Sequence, residues 1–420
     1  MSVERKIYTD PLKRIEQLES LASASKIINS SLDLAEILSR IMNLTTELLD
    51  ADRSTLYLID KEKGELWSIV AQGLDQIEIR LPLNQGIAGH VATNLKTLNV
   101  KDAYELPFFN REFDKKSNYR TKSVLCIPMI NKEDKAVGVM QVLNKKHGDF
   151  IPDDEEFLYA LSDHAVIAIE NAIMHKDLIA KKKLEEELLI AHKIQKSILP
   201  DTVPSVTGYD FGAINVSAKI VGGDFYDFIP LHAGKWGLVM ADVSDKGMPA
   251  AIFMAVCRTV MRAVAKDNDS AAEVLRMANA LISEIHTSNM FVTLFYGILD
   301  TKERRLVYSN AGHNPPLLYN VNRGEYRYIE MEGTAIGVMD GIEFEEDSID
   351  MQKDDLLVLY TDGITEAINP QEDEFGLDRM IDVLKNKGRN PARDIVENIE
   401  KAVDTFASGQ PQFDDMTLMV

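Results

Sequence analysis

Four aspartates in this 420-residue chain stand at strand ends or tight turns. Asp224 lies in Val221-Gly222-Gly223-Asp224-Phe225-Tyr226-Asp227, and Asp242 in Ala241-Asp242-Val243-Ser244-Asp245-Lys246-Gly247. Asp362 follows in Tyr360-Thr361-Asp362-Gly363, and Asp414 in Phe413-Asp414-Asp415-Met416-Thr417. A carboxylate placed after an apolar strand and before a tight turn points at a cleft. Several brought together there must be paired with cations or protonated. Oxygen ligands with no Cys or His beside them favour Mg²⁺ or Mn²⁺ over zinc. Two such ions a few Å apart polarise a phosphoryl oxygen and make a bridging water nucleophilic near neutral pH. Taken singly, each aspartate also fits a turn residue or a helix cap, and spacing alone does not bring the four together.

The elements that must position them follow from the periodicity. Strand-like runs cover 209–218, 221–231 and 236–243, and helical patterns cover 249–265 and 271–288. A hairpin about Asp300-Thr301-Lys302-Glu303 joins 291–299 to 305–309, and further strands lie at 316–319 and 355–360. Helices around 377–385 and 391–406 lead to a last strand at 416–420. Antiparallel sheets flanked by helices make a layered α+β sandwich.

Upstream, apolar residues from Pro11 to Ile28 recur at helical spacing, and Asp33 with Glu36 has the spacing of a capping box opening a second helix, 34–49. The period then changes to two: 54–59 and 66–71 form a hairpin, with more strands at 77–83, 123–130 and 136–144 and a loop entering a short helix at 86–92. This is a mixed α+β sheet domain. From Asp153 a helical pattern runs to Leu199-Pro200, with a seam of Ala165, Ile169, Ala172, Leu178, Leu184, Leu188, Ala191, Gln195 and Ile198 between charged flanks. Such a coiled-coil-like stripe predicts parallel pairing with the same helix of a second subunit; the alternative is that it folds back on its own domains. The expected organisation is an N-terminal helix over 1–31, a sensor-like domain over 32–174, a helical linker over 163–199 and a second domain over 200–420. With 46 Lys+Arg against 67 Asp+Glu, the net charge of −21 speaks against nucleic acid and anionic bilayers as partners. The two cysteines, Cys126 and Cys257, lie far apart in apolar runs, which excludes a disulfide framework or thiolate metal site and fits a reducing cytoplasm. No apolar signal follows the charged start, and no apolar run is long enough to span a bilayer, so a cytoplasmic protein without membrane insertion is expected.

Two resemblances organise these observations. Gly86-Ile87-Ala88-Gly89, Ser123-Val124-Leu125-Cys126-Ile127-Pro128 and Gly138-Val139-Met140-Gln141-Val142 resemble a GAF domain, a small-molecule sensor module. Asn144-Lys145, Phe150 and Asp154-Glu155 also match a signature of its cyclic-nucleotide-binding subset, which implies that Lys145 and Asp154 form a bridge shaping a ligand pocket. The bland alternative is an ordinary surface ion pair. His90 or His164 as a haem ligand is a weaker reading, since a lone His in a half-buried element is usually a satisfied side chain.

The four aspartate segments, together with Ser309-Asn310-Ala311-Gly312-His313-Asn314-Pro315, resemble the ordered motifs of the SpoIIE/RsbU branch of metal-dependent (PPM) serine/threonine phosphatases over about 199–420. The resemblance implies that Asp242 bridges two Mn²⁺ or Mg²⁺ ions, that Asp224, Asp362 and Asp414 complete the site, and that the carbonyl of Val243 is a further ligand. It implies hydrolysis of phosphoserine or phosphothreonine by direct attack of water. It also implies a phosphorylated anti-sigma-factor antagonist as partner, with control passing from a GAF ligand through a dimeric helix, joined by the N-terminal helix. Three positions depart from related patterns. Ser244 stands where eukaryotic relatives carry a candidate general-acid His, and Lys219 stands where they place a phosphate-binding Arg. Asp245 replaces a glycine common in this branch. Lys219 is either a phosphate contact or a solvated strand residue. His313 reads better as a loop-stabilising residue than as an acid. The rival from another class is a non-catalytic sensor or scaffold. A diguanylate cyclase hairpin at Gly222-Gly223-Asp224-Phe225 is disfavoured, because the second acid that motif needs is absent.

Overall fold

The computed structural model describes residues 19–20, 22–26, 28, 31–68, 79–285 and 290–420. Most of the helix expected at 11–28, the strand residues 69–71 and 77–78, and the helix end at 286–288 lie outside them. Two compact units divide between Lys183 and Leu184, inside the helix that the sequence assigns to a linker.

The first unit is built on a six-stranded antiparallel sheet. Its strands are β1 (Ala51–Asp60), β2 (Glu65–Ser68), β3 (Ile79–Pro82), β4 (Leu98–Val100), β5 (Val124–Ile130) and β6 (Ala136–Lys145), in the order β3-β2-β1-β6-β5-β4. The alternation along β5 explains its place. Leu125, Ile127 and Met129 face a core shared with Ile37, Leu38 and Ile41 of α1 (Leu34–Leu48), whereas Val124 and Cys126 face Ile87, Ala88 and Val91 of α2 (Gly86–Asn94). Asp33 does cap α1, accepting the Glu36 amide at 2.9 Å. Glu36 does not return the bond; it takes Ser31 and Arg40 instead, so the capping box is half made. A short helix, α3 (Glu112–Ser117), fills part of the stretch before β5.

Helix α4 (Pro152–Ile198) is a single 47-residue helix. Pro152 at its first turn, three acids behind it and no Gly or Pro before Pro200 account for that length. Phe157, Leu158, Leu161, Ala165, Ile169 and Ala172 enter the core of the first unit. Beyond them Leu178, Leu184, Leu189 and Ile190 are exposed.

The second unit is a four-layer sandwich. One sheet has the order β14-β11-β10-β9-β8, made of β8 (Phe225–Pro230), β9 (Lys235–Val243), β10 (Val292–Asp300), β11 (Arg305–Ala311) and β14 (Asp347–Asp350). The other has the order β13-β12-β15-β16-β7, made of β7 (Ala213–Val216), β12 (Leu317–Asn320), β13 (Glu325–Tyr328), β15 (Asp355–Tyr360) and β16 (Met416–Met419). Phe228, Leu238, Met240, Phe295 and Leu306 of the first sheet meet Leu318, Leu359 and Met419 of the second. Helices α5 (Met248–Ala265) and α6 (Ala271–Ile285) cover the outer face of the first sheet. Helices α8 (Gly376–Lys387) and α9 (Ala392–Ala407) cover that of the second, and one turn of helix, α7 (Asp362–Thr365), follows β15. The α+β architecture expected from the sequence is the one observed.

Three details differ from the sequence pattern. The strand read at 209–218 shortens to β7, and that read at 221–231 starts only at Phe225, so Gly222 to Asp224 form a loop ahead of it. Edge strands β13 and β14 carry no clean alternation, because their polar residues face solvent as charged sheet edges do. By composition α5 is apolar enough to cross a membrane, the one such helix among the described residues. Here it is packed on the sheet, and its Arg258 and Arg262 both reach the buried Asp227.

Candidate active site

Each sheet brings two of the four aspartates to one end of the sandwich. Asp224 immediately precedes β8 and Asp242 is the penultimate residue of β9; the register Phe225↔Ala241 sets them side by side. Asp362 opens α7 directly after β15, and Asp414 lies just ahead of β16, the neighbour of β15. The two sheets are tied across this end by a relay of hydrogen bonds. Asn215 Nδ2 donates to Thr417 Oγ1 at 2.8 Å, and that hydroxyl donates to Asp224 Oδ2 at 2.9 Å.

Burial and like charge dominate the electrostatics. Asp224 is 3% exposed, and burial, the charge of Asp242 and a hydrogen bond with it hold its carboxyl well above the usual carboxylate range. For Asp242, burial raises the pKa and the hydrogen bond from Asp224 opposes it. The charges of Asp362, Asp414 and Asp415 raise it further, and it is pushed up to about 7. Asp362 is raised by burial and by Asp414, against the opposing Gly363 amide and Lys246. Burial and like charge therefore oppose ionisation of both carboxyls together, which a bound cation would relieve. As they stand, no three acidic, His or Cys side chains among the described residues close on one point as ligands of a single ion do. An acidic cluster served by one nearby lysine, all oxygen donors and partly dry, fits divalent cations.

Residues that the sequence left out of the site hold it in shape. Asp415 Oδ1 accepts the Ala218 amide and Oδ2 the Gly223 amide, both at 2.7 Å, fixing the loop that carries Asp224. Lys246 pairs with Asp414 at 2.8 Å and lies over the exposed ring of Phe413. Both residues stand inside motifs read from the sequence, adjacent to the assigned acids, but nothing in the local pattern says which neighbour reaches back. Gly223 has a steric reason: a Cβ there would stand 3.0 Å from the Val243 carbonyl oxygen. That carbonyl belongs to a buried residue, and Ser244 clamps the strand end beyond it, its amide donating to Phe291 O and its Oγ accepting Phe291 N. Asp245 adopts φ 71°, which explains why glycine suits this position and why aspartate is tolerated.

The remaining expected residues fall as follows. Lys219 is exposed at the rim, its Cδ 3.8 Å from where a Cβ on Gly247 would be, and it makes no ion pair among the described residues. His313 is buried, its Nδ1 is 2.9 Å from Thr293 Oγ1, and burial pushes it down to about 4. Asn310 brackets its backbone on both sides, which is the loop-holding role rather than that of an acid. Asp227 stands apart from the cluster, held in a two-pronged bond by Arg262 at 2.6 and 2.8 Å with Arg258 beside it. In the first unit Lys145 and Asp154 are ion-paired, 15% and 13% exposed, with Asp154 also accepting the Ile151 amide. The pair is therefore more sheltered than an ordinary surface bridge. His90 stacks on Phe108 with centroids 4.2 Å apart, and His164 bonds Ser25.

Within the second unit the last turns of α4 reach the aspartate loop. Gln195 is 8% exposed; its Nε2 donates to Gly222 O at 2.6 Å and its Oε1 accepts Gly222 N at 3.2 Å. Gln195→Leu leaves two buried backbone groups unpaired, and each such loss costs about 1–3 kcal/mol. The expected outcome is faster amide exchange across 221–224 and a lower melting temperature; unchanged exchange there contradicts this role.

Residues 232–420 match the family described as Stage II sporulation protein E (SpoIIE), and residues 33–169 match the GAF domain family. The first match begins beyond Asp224, whose place rests on the geometry above. Protein IcfG of Synechocystis sp. is 30% identical over 271 residues, covering 58% of this chain and 42% of that protein. Phosphoserine phosphatase RsbU of Bacillus subtilis is 28% identical over 242 residues, covering 57% of this chain and 71% of RsbU. The SiaA-PP2C domain of Pseudomonas aeruginosa shares the fold, with a TM-score of 0.50 at 23% identity over 57% of this chain and 97% of that domain. The chain thus spans less than half the length of IcfG. Strand order, the aspartate-bearing strand ends and the two family matches agree that this chain joins a GAF domain, through α4, to a SpoIIE-family domain of the PP2C fold.

Proposed function

We propose that this chain is a metal-dependent protein serine/threonine phosphatase whose activity is set by its GAF domain. The observation that carries the proposal is the convergence of Asp224, Asp242, Asp362 and Asp414 at one end of the sandwich, where burial and like charge hold the first three above the usual carboxylate range. Two divalent cations, Mn²⁺ or Mg²⁺, would supply charge to a phosphoryl group there and lower the pKa of water. Asp242, Asp224, Asp362, Asp414 and the Val243 carbonyl would hold them. Lys246 tempers the charge of Asp414, and Asp415 keeps the Asp224 loop closed on the site. Lys219 at the rim would meet a phosphate as a point charge. Ser244 Oγ accepts the Phe291 amide, and a serine hydroxyl is too weak an acid to replace histidine in protonating a leaving serine.

The substrate class follows the similarity to a phosphoserine phosphatase: a phosphorylated regulatory protein of the anti-sigma-factor-antagonist kind. The sheltered Lys145–Asp154 bridge supports a pocket-shaping role toward a cyclic nucleotide or another small molecule. The exposed leucines and isoleucines on α4 support a homodimer paired along 163–199, joined by the N-terminal helix. A cytoplasmic site of action accords with two free, buried cysteines. The alternative, a scaffold that only binds a partner, is disfavoured by the unneutralised acid cluster, which makes Mn²⁺ titration the discriminating measurement. The test is phosphate release from a phosphoserine peptide by the full chain with Mn²⁺, with and without cyclic AMP or cyclic GMP. Hydrolysis that vanishes with EDTA is expected. No Mn²⁺-dependent release under any condition removes the catalytic reading, and equal rates with and without nucleotides remove the cyclic-nucleotide part.

A further inference from the structure

At the end of the sandwich opposite the aspartates, a cavity of about 780 Å³ opens between the two sheets. Its floor reaches the inter-sheet core: Leu238, Leu299, Leu359 and Met419 are each less than 5% exposed. Tyr209 and Phe211 form one wall, their rings 6.4 Å apart and inclined by 20°. A volume in the range of roughly 300–1,000 Å³ and an apolar floor are the features of a small-molecule site.

The rim decides what class of molecule fits. Lys302, Arg304, Lys353 and Arg389 line it, and none of them forms an ion pair among the described residues. The three carboxylates nearby are already committed to amides. Asp210 accepts the Ala392 amide at 2.7 Å at the start of α9, and Asp354 accepts Asn322 Nδ2 at 2.7 Å. Asp355 accepts Asn320 Nδ2 at 2.6 Å and the Gln352 amide at 2.8 Å. Arg389 reaches only the neutral Asn322 Oδ1, at 3.3 Å. In a chain of net charge −21, four cations against three carboxylates round a cavity with an apolar floor are the complement of an anion with a hydrocarbon or aromatic body.

We propose that this cavity binds a small amphipathic anion, its carboxylate, sulfonate or phosphate head held by Arg304, Lys353, Lys302 and Arg389 and its apolar body inserted between the sheets. The site lies apart from the aspartate end and does not depend on the catalytic reading.

The test uses 1-anilinonaphthalene-8-sulfonate as a fluorescent probe on the full chain. Saturable binding is expected, displaced by decanoate but not by inorganic phosphate at the same concentration. The double variant Arg304→Glu/Lys353→Glu should bind the probe at least tenfold more weakly with an unchanged circular dichroism melt, both residues being exposed. Hydrogen exchange with decanoate bound should show protection confined to the lining segments 207–211, 299–304, 321–322, 351–359, 388–392 and 419–420. Unchanged probe affinity in the double variant, displacement by phosphate alone, or protection falling on other segments overturns the proposal.

Discussion

Asp242→Asn is expected to lower Mn²⁺-dependent phosphoserine hydrolysis by roughly 10³-fold or more while making the metal-free chain more stable. The activity loss is the scale expected when a central electrostatic contact to the reacting group is removed. The gain in stability follows from the same charges. In the metal-free fold Asp242 titrates at about 7 against an ordinary value of 3.8, so the folded state binds protons more tightly than the unfolded chain does. Stability from this group is fully present below about pH 4 and is lost as the pH rises through 7. The wild-type chain in EDTA should therefore melt progressively lower between pH 5 and pH 8, and Mn²⁺ should reverse the loss. Asparagine removes one charge from the cluster and can still donate to Asp224, so the variant should melt several degrees higher in EDTA at pH 8; about 1 kcal/mol is worth roughly 2–4 °C in a unit of this size. Mn²⁺ should no longer raise its melting temperature. Thermal melts with and without Mn²⁺, beside phosphate-release assays, check both halves. A variant that keeps its activity, or gains the wild-type Mn²⁺ shift, contradicts the assignment of Asp242.

Gly363→Ala should be as damaging to activity, for a steric reason. A Cβ on Gly363 would stand 2.0 Å from the carbonyl oxygen of Asp415 and 2.8 Å from its carbonyl carbon. These are backbone atoms and no rotamer relieves the contact. Either the start of α7, with Asp362, or the turn carrying Asp414 must move, and the two acids part. Overpacking of this kind costs about 1–3 kcal/mol, and activity should fall at least 100-fold because misplacement of about 1 Å is enough for that. Gly376→Ala is the control. Unlike Gly363 it lies at positive φ, 69°, and a Cβ there meets nothing within 4 Å. It should lose only about 1 kcal/mol from backbone strain and keep its activity. Urea melts and phosphate-release assays on the two variants separate the cases. Equal effects on activity would contradict the steric account of Gly363.

Much of the architecture was legible because strands β5, β6, β9, β10 and β15 are long apolar runs bounded by turns, and their burial is a local property of composition. The half-made capping box at Asp33 and Glu36 shows the limit of such signals: spacing was right, yet Ser31 and Arg40 offered Glu36 better partners. Edge strands β13 and β14 escaped notice because their hydrogen bonds, not their side chains, make them strands. Among the site residues, each of the four aspartates announced itself by standing at a strand end or tight turn. Asp415, Thr417 and Gln195 did not, since their partners Gly223, Asp224 and Gly222 lie 192, 193 and 27 residues away along the chain.

By itself, then, the amino-acid order determined which segments are strands and helices and which acids sit at their ends, since both depend on neighbours within a few positions. Tertiary structure decided that the four aspartates share one end of the sandwich and that burial and like charge raise the pKa of three of them. It also decided that the opposite end opens into a cation-rimmed cavity, because strand order, burial and the pairing of distant charges arise only when two sheets from different parts of the chain are packed face to face.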